Sequence, residues 1–265
     1  MVVALAGILL VLMLAVGGDR GGKSFVALVG DAGLFAACVY LIALGANALL
    51  VTAASAFLFC AVTLVFQNGR GVKTCAAVAA VVLDICLVAI VALAAERIGK
   101  SAGYSELDMR EEVSMYLSPE LHIDMRALAL ASVMFGLLGA AMDAAVSVAA
   151  SVYELHLANP ALDARALARG GNAVGRDILG TTVNTVFFAG IGETIMQTIL
   201  FMKNGYGIEA ILNSKAFFQV FSTIMLSNLA CLAVIPLASA LAGRMMANDF
   251  LSLWTDLRRI LKWKR

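Results

Sequence analysis

The run FVALVGDAGLFAACVYLIALGANALLVTAASAFLFCAVTLVF, residues 25–66, holds a single acid and no basic residue. Wound as an α-helix it would reach roughly 60 Å, at about 1.5 Å per residue. That is twice the hydrocarbon thickness of a bilayer, about 30 Å. The chain must therefore turn back inside the run, and Gly45-Ala46-Asn47 is the turn-like break. The whole chain is of the same character: 62% hydrophobic, 14% charged, mean hydropathy +0.94. A soluble domain sits near about 45–50% apolar and about 25% charged. The fold class expected is all-α, a polytopic membrane helix bundle. Three prolines and 23 scattered glycines suit long helices in close contact.

Working outward, seven spans are predicted, at about 2–16, 25–44, 47–66, 74–95, 126–152, 178–202 and 216–243. Residues 1–16 have no Lys or Arg ahead of them, so they read as a short first span and not as a secretory signal. Loop charge sets the sides. Arg20 and Lys23, Arg70 and Lys73, Arg165, Arg169 and Arg176, and Arg244 with the basic tail all follow odd-numbered spans. Positive loops favour the cytoplasm, which gives N-terminus out and C-terminus in. The expected organisation is a transmembrane bundle over 1–248, with an external acidic loop at 97–125 and a cytoplasmic loop at 153–176. In that loop 162–169 is a short amphipathic helix, and Gly170, Gly171 and Gly175 allow a turn into span six. Residues 249–265 follow as a basic amphipathic tail lying in the inner interface, with Phe250, Leu253, Trp254, Leu257 and Leu261 on one face. In the acidic loop, 107–117 is an amphipathic stretch on the outer surface.

Several function classes fall away. A net charge of +1 gives no reason to expect nucleic acid. The five cysteines form no CxxC pair, and His122 and His156 lack metal-ligand spacing, so no metal site is expected. No HExxH or GxSxG motif is present, and neither an enzyme nor a cofactor is expected.

What remains is polar chemistry inside the spans. Counting along the helices places Asp143 about 15 Å in from the cytoplasmic end of span five, and Asn184 about 10 Å in from Asp177. Asp84 is about 16 Å in from Lys73 and Asp31 about 12 Å in from Lys23. Gly136, Gly139 and Ala140 precede Asp143 on one face, and Ser147 and Ser151 follow it. On span six Asp177, Thr181 and Asn184 form a stripe, with Arg176 at the inner rim. Span seven adds Gln219, Thr223 and Asn228, and Pro236 as a kink point. Ionisable groups in hydrocarbon are costly and mark ion, proton or substrate paths. The alternative is that each acid only ties helices together.

One stretch carries more than pattern. His122-Ile123-Asp124-Met125-Arg126, Gly139-Ala140-Ala141-Met142-Asp143, 145–151, Asn159-Pro160, Gly175-Arg176-Asp177-Ile178, Gly180-Thr181 and Asn184-Thr185 follow in order. This stretch resembles the YibE/F-like family of bacterial multispanning membrane proteins, over about 123–188. The resemblance implies a bacterial cell membrane, a transport role and a paired homologue. Many family members carry an extracytoplasmic domain near the N-terminus; its absence implies the short partner of such a pair.

The expected function is therefore a transporter or permease, cation- or proton-coupled. Its site would use Asp143, Asp177, Asn184, Thr181 and Arg176, with Asp31 and Asp84 nearby. Asp143 would bind the ion, Thr181 and Asn184 would supply neutral ligands, and Arg176-Asp177 would gate the inner mouth. The alternatives are a non-transporting subunit or assembly partner, and the membrane subunit of an ATP-driven transporter. Expected partners are the lipid bilayer and a paired homologue or a second copy.

Overall fold

The computed structural model describes residues 1–66, 69, 71–99 and 125–247. The acidic stretch at 107–117 and the tail at 249–265 lie outside the described residues. The described chain is helical in seven pieces. α1 is Val2–Ala43, α2 Ala48–Cys60 with a π-helical continuation over Ala61–Phe66, and α3 Val72–Gly99. α4 is Met125–Ala158, α5 Ala164–Lys203, α6 Ile208–Leu212 and α7 Lys215–Ala247. Six helices are long and apolar enough to cross a membrane. The first of these, α1, is broken at Gly18, where φ is 53° and ψ −135°, into 2–17 and 19–43. Counted across that break, the predicted seven segments are present, and the protein is a multi-pass membrane protein.

The break needs glycine twice. A positive φ at Gly18 is open chiefly to glycine. At Gly21 an added Cβ would fall on the backbone carbonyl of Met13, so the two halves of α1 meet closely there. The predicted turn at 44–47 is also observed. Gly45 has φ 89°, and the Asn47 side chain accepts from the amides of Leu49 (3.0 Å) and Leu50 (3.3 Å), capping α2.

The region between spans five and six is different from expectation. Instead of a loop over 153–176, α4 continues to Ala158 and α5 begins at Ala164 and runs unbroken to Lys203. Asn159-Pro160 does end α4, because the residue before proline is pushed out of the α region. Asp163 then caps α5 by accepting from the Ala166 amide at 2.8 Å. Gly170, Gly171 and Gly175 are helical, and they serve close approach, not a turn. A Cβ at Gly170 would strike Leu155, one at Gly171 would lie 2.9 Å from Ser239 Oγ, and one at Gly175 would strike Ile235. Small residues at such crossings let transmembrane helices gain van der Waals contact, lipid tails offering no hydrophobic gain.

α7 is the centre of the bundle, packed against α5, α4 and α3. The shared core is built of small side chains, among them Ala77, Ala80, Ala141, Ala145, Ala230 and Ala238. Phe135 joins α4 to α1 and α2 through edge contacts with Phe35 (5.3 Å) and Phe59 (5.8 Å). Leu, Val and Ile side chains of α1 and α3 face outward, as lipid contact requires.

The packing also orders the ends. Asp31 meets Thr63, Lys73 sits over the Tyr153 ring, Gly171 meets Val152, and Gly243 abuts Ala164. These contacts gather Arg20, Lys23, Lys73, Arg165, Arg169 and Arg244 toward one end of the bundle. Cys38, Ile42, Ala48 and Ala127 cluster at the opposite end.

Candidate functional site: carboxylates of the bundle

Asp84 is the most enclosed charged residue of the described chain. It comes from the middle of α3, has no exposure, and neither carboxylate oxygen has a hydrogen-bond partner. The small residues before it on the same helix, Ala77, Ala80 and Val81, belong to the core that α3 shares with α4 and α7. Cys231 of α7 is fully buried in the same bundle. Asp84 of α3 and Asp143 of α4 thus sit on two helices that both pack against α7. Asn228 stands three residues before Cys231, on the adjoining face. Its Nδ2 donates to the Ile224 carbonyl at 2.9 Å, and its Oδ1 is buried without a partner. The arrangement is rich in acceptors, and no Lys or Arg neutralises it from within the spans.

Asp143 differs from Asp84 in exposure. It lies on an open face of α4 with Gly136, Gly139 and Ser147. Gly136 abuts α7, where a Cβ would stand 3.5 Å from Ser227 Oγ and 3.7 Å from Thr223 Cγ2. Gly139 has nothing within 4 Å. Small residues here keep a path open beside the carboxylate, instead of receiving a helix along the whole face.

Asp31 has its own partner. Thr63 Oγ1 donates to Asp31 Oδ2 at 2.6 Å, and Asp31 Oδ1 stays buried and unpaired. Thr63 belongs to the π-helical segment, and Cys60 lies close by. Among the described residues no hydrogen bond or ion pair joins Asp31 to Asp84 or Asp143.

Arg176, Asp177, Thr181 and Asn184 are not brought to Asp143 within one chain. α5 turns Leu167, Gly171 and Gly175 toward α4 and α7. From Gly175 to Asn184 the helix makes about two and a half turns, which puts Asn184 on the opposite face. All four residues are exposed. The Thr181 and Thr182 hydroxyls donate to the Ile178 carbonyl, at 2.9 and 3.0 Å, and Thr185 donates to Thr181 at 2.8 Å. Periodicity identified the stripe, but the direction it faces depends on which glycines of α5 take the crossing.

Two features had weaker signals in the sequence. Asp84 reads as one acid among several, and its complete enclosure comes from helix packing. At the end of α5 away from the arginines, a cavity of about 190 Å³ opens between α5 and α7. Phe187, Phe201, Phe217 and Phe221 line it, with Gln197, Thr194 and Thr198. Among the described residues no group of three or more His, Cys, Asp and Glu is placed to hold a metal ion.

No curated protein and no solved structure matches the chain. The family described as YibE/F-like protein matches it over residues 5–248. That match extends well beyond 123–188 and takes in the first four spans, whose sequences show little more than hydropathy. With nearly the whole bundle inside the match, the chain belongs to the YibE/F-like family.

Proposed function

We propose that this protein is a transporter or permease of the bacterial cell membrane, coupled to protons or another small cation, with Asp84 and Asp143 as its ion-handling pair. The observation that carries the reading is a fully buried carboxylate without a hydrogen-bond partner, Asp84, on a helix packed against the one that holds the exposed Asp143. An ionised carboxylate buried without a partner is strongly disfavoured, so Asp84 holds a proton or a cation. Asp143, on the open face, is the group through which that ion is exchanged. Midplane sites built from helix side chains are the common arrangement in transporters. The basic end faces the cytoplasm, with the N-terminus outside and the C-terminus inside.

The test uses inverted membrane vesicles acidified by respiration and loaded with a pH-quenched dye. Addition of Na⁺, K⁺, Mg²⁺ or Mn²⁺ in turn is expected to release the quench for at least one ion. Asp143→Asn and Asp84→Asn should each slow that response by about tenfold or more, the loss of 1.4 kcal/mol or more at the site. Full response in both variants would sink the assignment.

A second reading is supported by Asp31. Its bond to Thr63 is a tie between α1 and the end of α2, the behaviour of an acid that locks helices in a non-transporting subunit of a paired assembly. Copurification with a homologue, together with unchanged flux in the variants above, would favour it.

A further inference from the structure

The outward face of α5 does not suit lipid. Along it run Ala173, Asp177, Gly180, Asn184, Phe188, Ile191 and Ile195, with Arg176 and Thr181 beside them. The spacing of three and four residues is that of a coiled-coil seam. Only 6% of the most apolar part of this helix is buried within the chain. α3, by contrast, offers lipid Leu83, Leu87 and Ile90. Polar groups facing hydrocarbon lose water and gain nothing, so a polar transmembrane stripe calls for a protein partner.

We infer that a second copy of this chain covers the stripe, with α5 of each copy lying parallel across a twofold axis along the membrane normal. Parallel pairing sets equal residue numbers at equal depth, so the groups must suit themselves. Here they do. Among the described residues neither Arg176 nor Asp177 has a partner within its chain. Being adjacent in sequence, each stands level with the opposite charge of the other copy, and two ion pairs form symmetrically. Asn184 meets Asn184 of the second copy, and an amide can both donate to and accept from its like. A single asparagine on such a seam also fixes register and oligomer state. Gly180 has nothing within 4 Å of a built Cβ, and Ala173, Gly180 and Asn184 keep the centre of the stripe free of bulky side chains over its first half. Small residues there let two helices approach closely. A twofold interface of this kind is self-complementary and closed. The pairing stands whether or not Asp84 and Asp143 carry ions.

The test is oxidative crosslinking in native vesicles, in a chain whose exposed Cys75 and Cys86 are replaced by alanine. Gly180→Cys and Ile195→Cys are expected to give a band of twice the chain mass, whereas Leu87→Cys on the lipid face of α3 is not. Adding Asp177→Arg should cut the crosslinked fraction by about tenfold. The double swap Arg176→Asp with Asp177→Arg should restore it, a rescue that a merely misfolded variant would not show. Crosslinking at 180 and 195 no greater than at 87, no rescue by the swap, or mass spectrometry showing a different protein in the band would each overturn the inference.

Discussion

Two acids of the bundle make opposite demands on their neighbours. Asp31 has a donor, and removing it leaves a carboxylate with one buried oxygen and no partner at either. Thr63→Val is therefore expected to destabilise the protein by about 1–3 kcal/mol, read as a lower unfolding midpoint in detergent. Asp84 has no donor to lose. Replacing it with leucine removes an unsatisfied polar group from a tight apolar setting, an exchange that is often neutral or stabilising. Asp84→Leu should keep or raise the unfolding midpoint while abolishing the cation-dependent proton response. A protein that unfolds more easily on this change would instead have used Asp84 as a hidden structural tie.

Among the elements, α5 shows how one residue type does different work at different positions. A Cβ at Gly175 would strike Ile235 and lie 3.4 Å from Val148 Cγ2, so Gly175→Ala overpacks the crossing. A loss of about 1–3 kcal/mol is expected from thermal unfolding. Gly33 in α1 has nothing within 4 Å, and Gly33→Ala should gain up to about 1 kcal/mol from helix propensity. The contrast also explains what could be read in advance. Gly45-Ala46-Asn47 and Asn159-Pro160 were legible because a capping asparagine and a proline act on their own neighbours. Gly170, Gly171 and Gly175 were misread as a turn because glycine is the residue of turns and of helix crossings alike. Distinguishing the two requires Leu155, Ser239 and Ile235, which only the assembled bundle brings near.

For the whole molecule, span number and fold class follow from hydropathy and loop charge, since a bilayer leaves helices few alternatives. The candidate site was legible in part. Depth counting put Asp84 and Asp143 in one layer, but it did not foretell that one would be sealed and the other open. The same count put Asn184 with them, but depth says nothing about rotation, and α5 turns that residue outward. The common end shared by the basic residues leads to a topology test. Green fluorescent protein fused after Ala247 should fluoresce, and alkaline phosphatase at the same point should be inactive. Phosphatase inserted between 100 and 124 should be active. The reverse pattern would invert the bundle and place its arginines outside.

The continuity of α5 has a mechanical consequence. Its 40 residues span roughly 60 Å, about twice the hydrocarbon thickness. Unbroken from end to end, it can act as a jointless lever with its fulcrum at the glycine crossings against α7. The short 159–163 connection is the handle, and the phenylalanine-lined cavity lies at the far arm. A push on the handle is expected to change the width of that cavity without any bond in α5 breaking. A Phe217→Trp reporter should therefore shift its emission when an antibody grips an epitope inserted at 159–163. Unchanged emission would place a joint somewhere along the rod.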